Sequence, residues 1–228
     1  MHNAIKSFLI ILFLIVIQLF IYDFFLKSMI TTWGASKEEV AMPMAGDNET
    51  LKIISTRAIT INAPKAEVWK WLIQLGADRN GFYSYTFLEE LMGYKTRPHE
   101  MHQAEFSDIK VGNIIRGSMD EKSSLIPYNF TVLYVRPEET FVLRGWGTFL
   151  LKEVTPQQTR LIIRTQEVEA SNLTLKIAHY VIIPLHYIME RRTLLGIKAQ
   201  VEANKNASFS QPAIQTMKKL HSATAGYI

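Results

Sequence analysis

Residues 8–26, FLIILFLIVIQLFIYDFFL, form an apolar run broken by Gln18 and Asp23. At 1.5 Å per residue, about 20 helical residues cross a hydrocarbon core of roughly 30 Å, so this run fits one membrane span. Tyr22, Phe24 and Phe25 gather toward one end, where aromatic rings favour the membrane–water interface. Asp23 is tolerable at that end and costly at mid-bilayer. Two other readings compete: a cleaved signal peptide, favoured by Lys6 ahead of the run, and a helix buried in a soluble core. No small-x-small cleavage pattern follows; the chain continues KSMITTWGAS. Segment 1–30 is therefore expected to be an uncleaved anchor of a single-pass membrane protein. Lys6 and the amino terminus on one side balance Lys27 and Lys37 on the other, so the charges give no orientation.

The remaining chain is long enough for one well-buried domain. Basic residues number 25 against 21 acidic, a net +4. That excess suits contact with anionic lipid head groups and is too diffuse for nucleic acid. With 0 cysteines, disulfides, thiolate catalysis and cysteine-ligated metals are excluded. Segment 31–54 reads as a juxtamembrane lead-in. Ser36 and Glu39 have capping-box spacing, which predicts a helical turn over 37–41, and Pro43, Gly46 and Asp47 read as linker.

A globular pattern occupies 55–205. STRAITINAP alternates Arg57, Ile59 and Ile61 against smaller residues, as a strand does, and closes at Ala63-Pro64. Pro64 suits the first position of a helix. KAEVWKWLIQLG then sets Val68, Leu72 and Leu75 on one face, flanked by Trp69 and Trp71, and stops at Gly76. Thr86 and Glu89 predict a second short helix over 86–92, ending at Gly93. After a polar connection, strands are expected over 112–118, 128–136, 140–146, 147–154 and 159–169, spaced closely enough for antiparallel hairpins. PLHYIMERRTLLGIKAQVEANK, 184–205, reads as one long helix with Pro184 at its start; 206–228 reads as a polar, disordered tail. The order is α+β: a curved antiparallel sheet covered by a long C-terminal helix, with two short helices after the first strand. A cavity remains between them where facing side chains leave space. No G-x-G-x-x-G or P-loop occurs.

TRAITINAPKAEVWKWLIQLGADRNGFYSYTFLEELMG resembles the first third of START-like, helix-grip (SRPBCC) domains of the polyketide cyclase/dehydrase and lipid-transport type. TRLIIRTQ is similar to the late strand of that group, and MERRTLLGIK to the start of its C-terminal helix. WGASKEEVAMPMAGD resembles the lead-in of a membrane-anchored subset. The resemblance spans about 33–203 and implies the helix-grip fold with an internal hydrophobic cavity. It implies no reaction, because the fold hosts carriers, cyclases, hydrolases and pure binders.

The candidate ligand-binding residues are Phe82, Tyr83, Tyr85, Phe87, Arg144, Trp146, Arg164 and Glu190. Tyr83 and Tyr85 alternate, so one ring can face a cavity while its hydroxyl meets a ligand; the bland alternative is that these aromatics cement helices to sheet. Phe82 and Phe87 would line or gate the entrance. Arg164 shares strand parity with Ile162, and Arg144 with Val142 and Trp146, so an inward face can carry a guanidinium. A buried cation needs a partner, and Glu89, Glu90, Glu167 and Glu190 are candidates; the alternative is a surface arginine. Glu190 reads as an acid/base or as an anchor holding the helix to a strand arginine. Any catalysis would use Tyr83 or Tyr85 as proton donor and Glu89 or Glu190 as base.

His99, Glu100 and His102 (HEMH) with Glu105 lack a third ligand fixed by spacing, so no metal and no cofactor is expected. Ser84 lacks a G-x-S-x-G context. Asn48, Asn129, Asn172 and Asn206 match glycosylation sequons, which mean nothing without a eukaryotic secretory context. LTLKIAHYVIIPLHY, 173–187, is unusually apolar for a connection; membrane surface, cavity mouth and core each fit it. Three functions follow: membrane-anchored binding of a hydrophobic or amphipathic, lipid-like molecule; a cyclase or dehydratase; and a non-catalytic interaction protein. The sequence does not fix the oligomeric state.

Overall fold

The computed structural model describes residues 2–91, 108–122, 127–169 and 172–224. The apolar run is helical throughout: α1 (His2–Ile21), one wide π-helical turn (Tyr22–Leu26) and α2 (Lys27–Thr31). Its stretch Ile5–Thr31, 27 residues, is long and apolar enough to cross a membrane, and none of its most apolar window is buried in the protein. The lead-in carries α3 (Lys37–Ala41), closed by the expected capping box: Ser36 Oγ accepts from Glu39 N at 3.2 Å, and the Glu39 carboxylate accepts from Ser36 N at 2.8 Å.

Six antiparallel strands follow: β1 (Lys52–Ile61), β2 (Ile114–Arg116), β3 (Asn129–Arg136), β4 (Thr140–Leu143), β5 (Gly147–Thr155) and β6 (Gln158–Glu167). Their order in the sheet is β1-β6-β5-β4-β3-β2, so β2 to β6 form a meander and the first strand closes against the last. Irregular registers at Ile53/Ser55, Val132/Tyr134 and Glu153/Thr155 bend the strands. The short helices α4 (Lys65–Leu72) and α5 (Thr86–Leu91) lie between β1 and β2, and α6 (Leu173–Thr224) ends the described chain. The fold is the expected α+β helix grip.

Both faces of the sheet are covered. Ile61, Phe141, Phe149, Leu151, Leu161 and Ile163 point to the inner face and join Val68, Leu72 and Leu75 after the turn, and Leu194, Ile197 and Val201 of α6. Full burial contributes about 1.5–3 kcal/mol for each large apolar side chain. The outer face carries Ala58 and Ile162, which the lead-in covers with Met44. Gly34 and Gly46 permit that approach: a Cβ at Gly34 would stand 2.1 Å from the Ala58 carbonyl oxygen, and one at Gly46 2.6 Å from Val142.

Two expectations need correction. The long helix begins at Leu173 rather than at Pro184, and is continuous to Thr224, through most of the tail expected to be disordered over 206–228. Proline inside a helix removes one hydrogen bond at a cost of about 3 kcal/mol or more. Bonds on both sides of Pro184, donated by Tyr180 to Asp23 and by Arg57 of β1 to Glu190, hold the helix on either side of it. The second correction concerns Arg144. The strand expected over 140–146 stops at Leu143, and Gly145 (φ 87°) and Gly147 (φ 141°) turn the chain sharply. The turn breaks the alternation: Trp146 enters the core, Arg144 is exposed, and Val142 faces the lead-in. Gly93, the HEMH cluster and Glu105 lie outside the described residues.

Candidate functional site

Parity along β1 puts Arg57 on the inner face with Ile59 and Ile61, directly under α6. Its guanidinium is fully buried and meets Glu190, whose side chain is 1% exposed. Arg57 Nη1 donates to Glu190 Oε2. The other carboxylate oxygen accepts from Trp146 Nε1 at 3.1 Å and Thr165 Oγ1 at 3.2 Å. His186, one helical turn before Glu190, places Nδ1 3.4 Å from Arg57 Nη1 and Nε2 3.6 Å from Glu190 Oε1. Arg57 also lies over the Tyr187 ring at 5.5 Å, and its Nε donates to the Ile30 carbonyl at 2.8 Å. One side chain therefore joins the end of the apolar N-terminal helix, the sheet and α6. Arg57 Nη2 and Ser55 Oγ, on the same face of β1, are buried without a hydrogen-bond partner among the described residues.

Burial alone would push the Glu190 carboxyl up. The Arg57 charge, His186 and the Trp146 N–H outweigh it and hold the group below the ordinary carboxylate value. His186 keeps 31% of its side chain exposed, but both ring nitrogens face the buried pair. Desolvation there holds the imidazole below its ordinary value; Glu190 opposes the shift and Arg57 adds to it. The cluster thus holds a carboxylate and a guanidinium beside an imidazole whose pKa is held down, with both Glu190 oxygens engaged.

Of the expected site residues, the structure brings together Phe82, Trp146 and Glu190. The Phe82 and Trp146 rings lie 5.7 Å apart, and Phe130 and Phe149 pack on the same indole at 5.4 and 5.0 Å. Among the described residues these rings occupy the space between sheet and helix. Tyr83 is buried scaffold: its hydroxyl donates to the Trp71 carbonyl at 3.1 Å and accepts from Asn80 Nδ2 at 3.2 Å. Burial raises its pKa well above the ordinary phenol value. Its φ of 55° is strained for an aromatic residue, and α6 locks it there through Gly196, where a Cβ would stand 2.4 Å from the Tyr83 carbonyl oxygen. Tyr85 is 44% exposed under the Arg192 guanidinium, and Phe87 is 70% exposed. Glu89 is fully buried on α5.

Arg164 is buried, on the outer face rather than the inner one. It donates to Thr56 Oγ1, Asp47 Oδ2 and the carbonyls of Glu39, Val40 and Met42, all within 3.1 Å. Arg160 holds Glu39 by two bonds of 2.8 Å. These arginines clamp the lead-in to the sheet. Arg57, His186 and Thr165 join the site without being candidates from the sequence; the parity of Arg57 with Ile59 and Ile61 is the signal that marks it.

A cleft of about 330 Å³ opens where the N-terminal helix meets the domain. Tyr22, Ile53, Ile54, Tyr180 and Ile183 supply its apolar and aromatic wall; Lys27, Lys52, Lys176 and His179, with Thr31 and Glu169, form a polar rim in which basic groups predominate, and His179 Nε2 lies 2.9 Å from Glu167 Oε1. Lys27 pairs with Asp23 at 3.2 Å and Lys52 with Glu169 at 3.4 Å, both exposed and therefore weak. The Tyr22 hydroxyl is buried there without a hydrogen-bond partner among the described residues. No group of three or more metal-ligating side chains occurs among the described residues.

No family model and no curated protein matches the chain. Among solved structures, protein MLL2253 from Mesorhizobium loti aligns at 15% identity over 65% of this chain and 97% of its own, with a TM-score of 0.35. The conserved protein of unknown function EF2215 from Enterococcus faecalis aligns at 11% identity over 79% of this chain and 97% of its own, at 0.36. The protein of unknown function SA2116 from Staphylococcus aureus aligns at 12% identity over 68% and 99%, at 0.35. Scores this low place no constraint on function.

Proposed function

We propose that the chain is a single-pass, membrane-anchored helix-grip domain of the START-like type that binds a lipid-like amphipathic molecule. The observation that carries this is the cleft between the anchor and the grip. Its 330 Å³ lies within the usual range of small-molecule sites, and its apolar wall under a polar rim rich in basic groups suits a ligand with a greasy body and a strongly polar head. The rings packed around Trp146 fill the middle of the grip, which supports a binding space at the end nearer the N-terminal helix. The motifs resembling the START-like group, together with the sheet-and-helix architecture, support the family assignment. An anchored carrier needs no catalytic group, and the geometry favours that over a cyclase: Tyr83 is spent on Trp71 and Asn80, and both Glu190 oxygens already accept bonds.

The test is lipid analysis of the full chain purified in a mild detergent, beside Ile53→Trp and Ile183→Trp, which fill the cleft. A stoichiometric amphipathic ligand on the natural chain, lost from both variants, is the expected result. Equal retention by all three proteins would place the ligand elsewhere, and no retained ligand would overturn the binding reading.

A further inference from the structure

The first four turns of α6 carry an apolar stripe that no part of the described protein covers. Leu173, Ile177, Val181 and Ile188 recur at helical spacing and are 72%, 59%, 69% and 44% exposed. Ile182 beside them is 51% exposed, and Val168 and Ile53 at the adjoining edge of the sheet are 75% and 46% exposed. An apolar surface of this extent on one side of a domain marks a contact with something apolar.

Its position says what that partner is. The Tyr180 hydroxyl donates to Asp23 Oδ2 at 2.7 Å, and the Tyr22 and Tyr180 rings lie 5.2 Å apart. Farther along both helices, Arg57 joins the Ile30 carbonyl to Glu190. The start of α6 therefore runs beside the end of the N-terminal apolar helix, in the same direction. Leu173 lies two turns before Tyr180, about 10 Å along the axis, on the side from which the apolar helix arrives. Tyr22, Asp23, Lys27, Tyr180 and His179 form a polar and aromatic belt about 8 Å deep along the helix axes, as side chains at a membrane interface do. Lys176 lies just beyond the belt with an exposed stem long enough to reach back to head groups.

We infer that the N-terminal part of α6 is a second, non-spanning membrane contact: its stripe enters the leaflet next to the anchor at Leu173 and Ile177, reaches the interface at Val181, and leaves Ile188, about 12 Å along the axis from Tyr180, on the aqueous side. The partner is the acyl region of the bilayer, reached by continuity with the span. The inference rests on the reading of Ile5–Thr31 as an anchor. It adds to that reading a fixed tilt of the domain, with the 330 Å³ cleft held at the lipid surface between two inserted elements.

The chain has no cysteine, so single-cysteine variants report cleanly. Leu173→Cys, Ile177→Cys, Val181→Cys and Ile188→Cys, each labelled with a polarity-sensitive fluorophore, are reconstituted as full chains into phosphatidylcholine–phosphatidylglycerol vesicles. The vesicles carry lipids brominated along the acyl chain. Leu12→Cys in the apolar helix is the inserted control, and exposed Glu153→Cys on β5 the aqueous one. The expected result is strong quenching at 12, strong quenching at 173 and 177, less at 181, and none at 188 or 153. Quenching at 12 with 173 and 177 behaving like 153 overturns the inference and leaves the anchor standing. Blue-shifted but unquenched emission at 177 also overturns it, because a second copy or another protein then covers the stripe. An unquenched label at 12 overturns the anchor reading itself, and the inference with it.

Discussion

Replacing Arg57 by methionine removes the cation and keeps an apolar side chain of similar reach. Glu190 then stays buried at 1% exposure with no compensating charge. Breaking a buried pair in this way costs about 3–5 kcal/mol, and solvent cannot screen a site this enclosed. The Ile30 carbonyl loses its donor as well. For a chain of this size each kcal/mol moves the midpoint by about 2–4 °C, so Arg57→Met is expected to melt roughly 6–20 °C below the natural protein. The assay is thermal unfolding of the full chain in micelles, followed by near-ultraviolet circular dichroism, to which Trp146 on Glu190 contributes locally. The double variant Arg57→Met/Glu190→Met buries no lone charge, so it should recover at least about 2 kcal/mol against the sum of the single variants. A single variant within about 1 kcal/mol of the natural chain would refute the reasoning, as would strict additivity.

Further expectations concern the same contacts. The folded Glu190 value lies below its unfolded one, so its contribution is complete above the unfolded carboxylate value of about 4.3 and is lost as pH falls through the lower, folded value. Glu190→Gln should therefore lose stability at neutral pH and flatten the acid limb of a stability–pH curve; an unchanged acid limb would contradict it. Gly196→Ala would gain up to about 1 kcal/mol from helix propensity at an open site. Here the new Cβ meets the Tyr83 carbonyl at 2.4 Å, so a loss of about 1–3 kcal/mol in denaturant unfolding is expected, and a gain would refute the close approach. Arg164→Met should free the lead-in, seen as faster proteolytic cleavage between 42 and 50, while Arg144→Met, at an exposed turn, should leave the cleavage rate unchanged.

The sequence marked the elements well because each has a strong local signal. The capping box at Ser36 and Glu39, the apolar spacing of α4 and the turn residues between β3 and β6 put boundaries within a few residues of those observed. The site was harder for a physical reason. Apolar neighbours identify the inner face of a strand when one face meets water, and this sheet is covered on both. Arg164 and Ile162 share a face, but it lies under the lead-in, whereas Arg57 with Ile59 and Ile61 faces α6. Arg144 was misplaced because Gly145 and Gly147 break the alternation between Val142 and Trp146. Pro184 suggests a helix start because that rule is local, and the contacts that hold the helix on either side of it, Tyr180 to Asp23 and Arg57 to Glu190, are not. Glu190 was legible as an anchor for a strand arginine; which arginine depends on the register of β1 beneath α6.

Native mass spectrometry of the full chain released from lipid nanodiscs reads out whether an amphipathic ligand is held between anchor and grip. One retained lipid-like mass is expected on the natural chain, and its loss on Ile183→Trp, a cleft-lining substitution outside the Arg57–Glu190 contacts. A chain that emerges bare under conditions that preserve its fold would contradict the account.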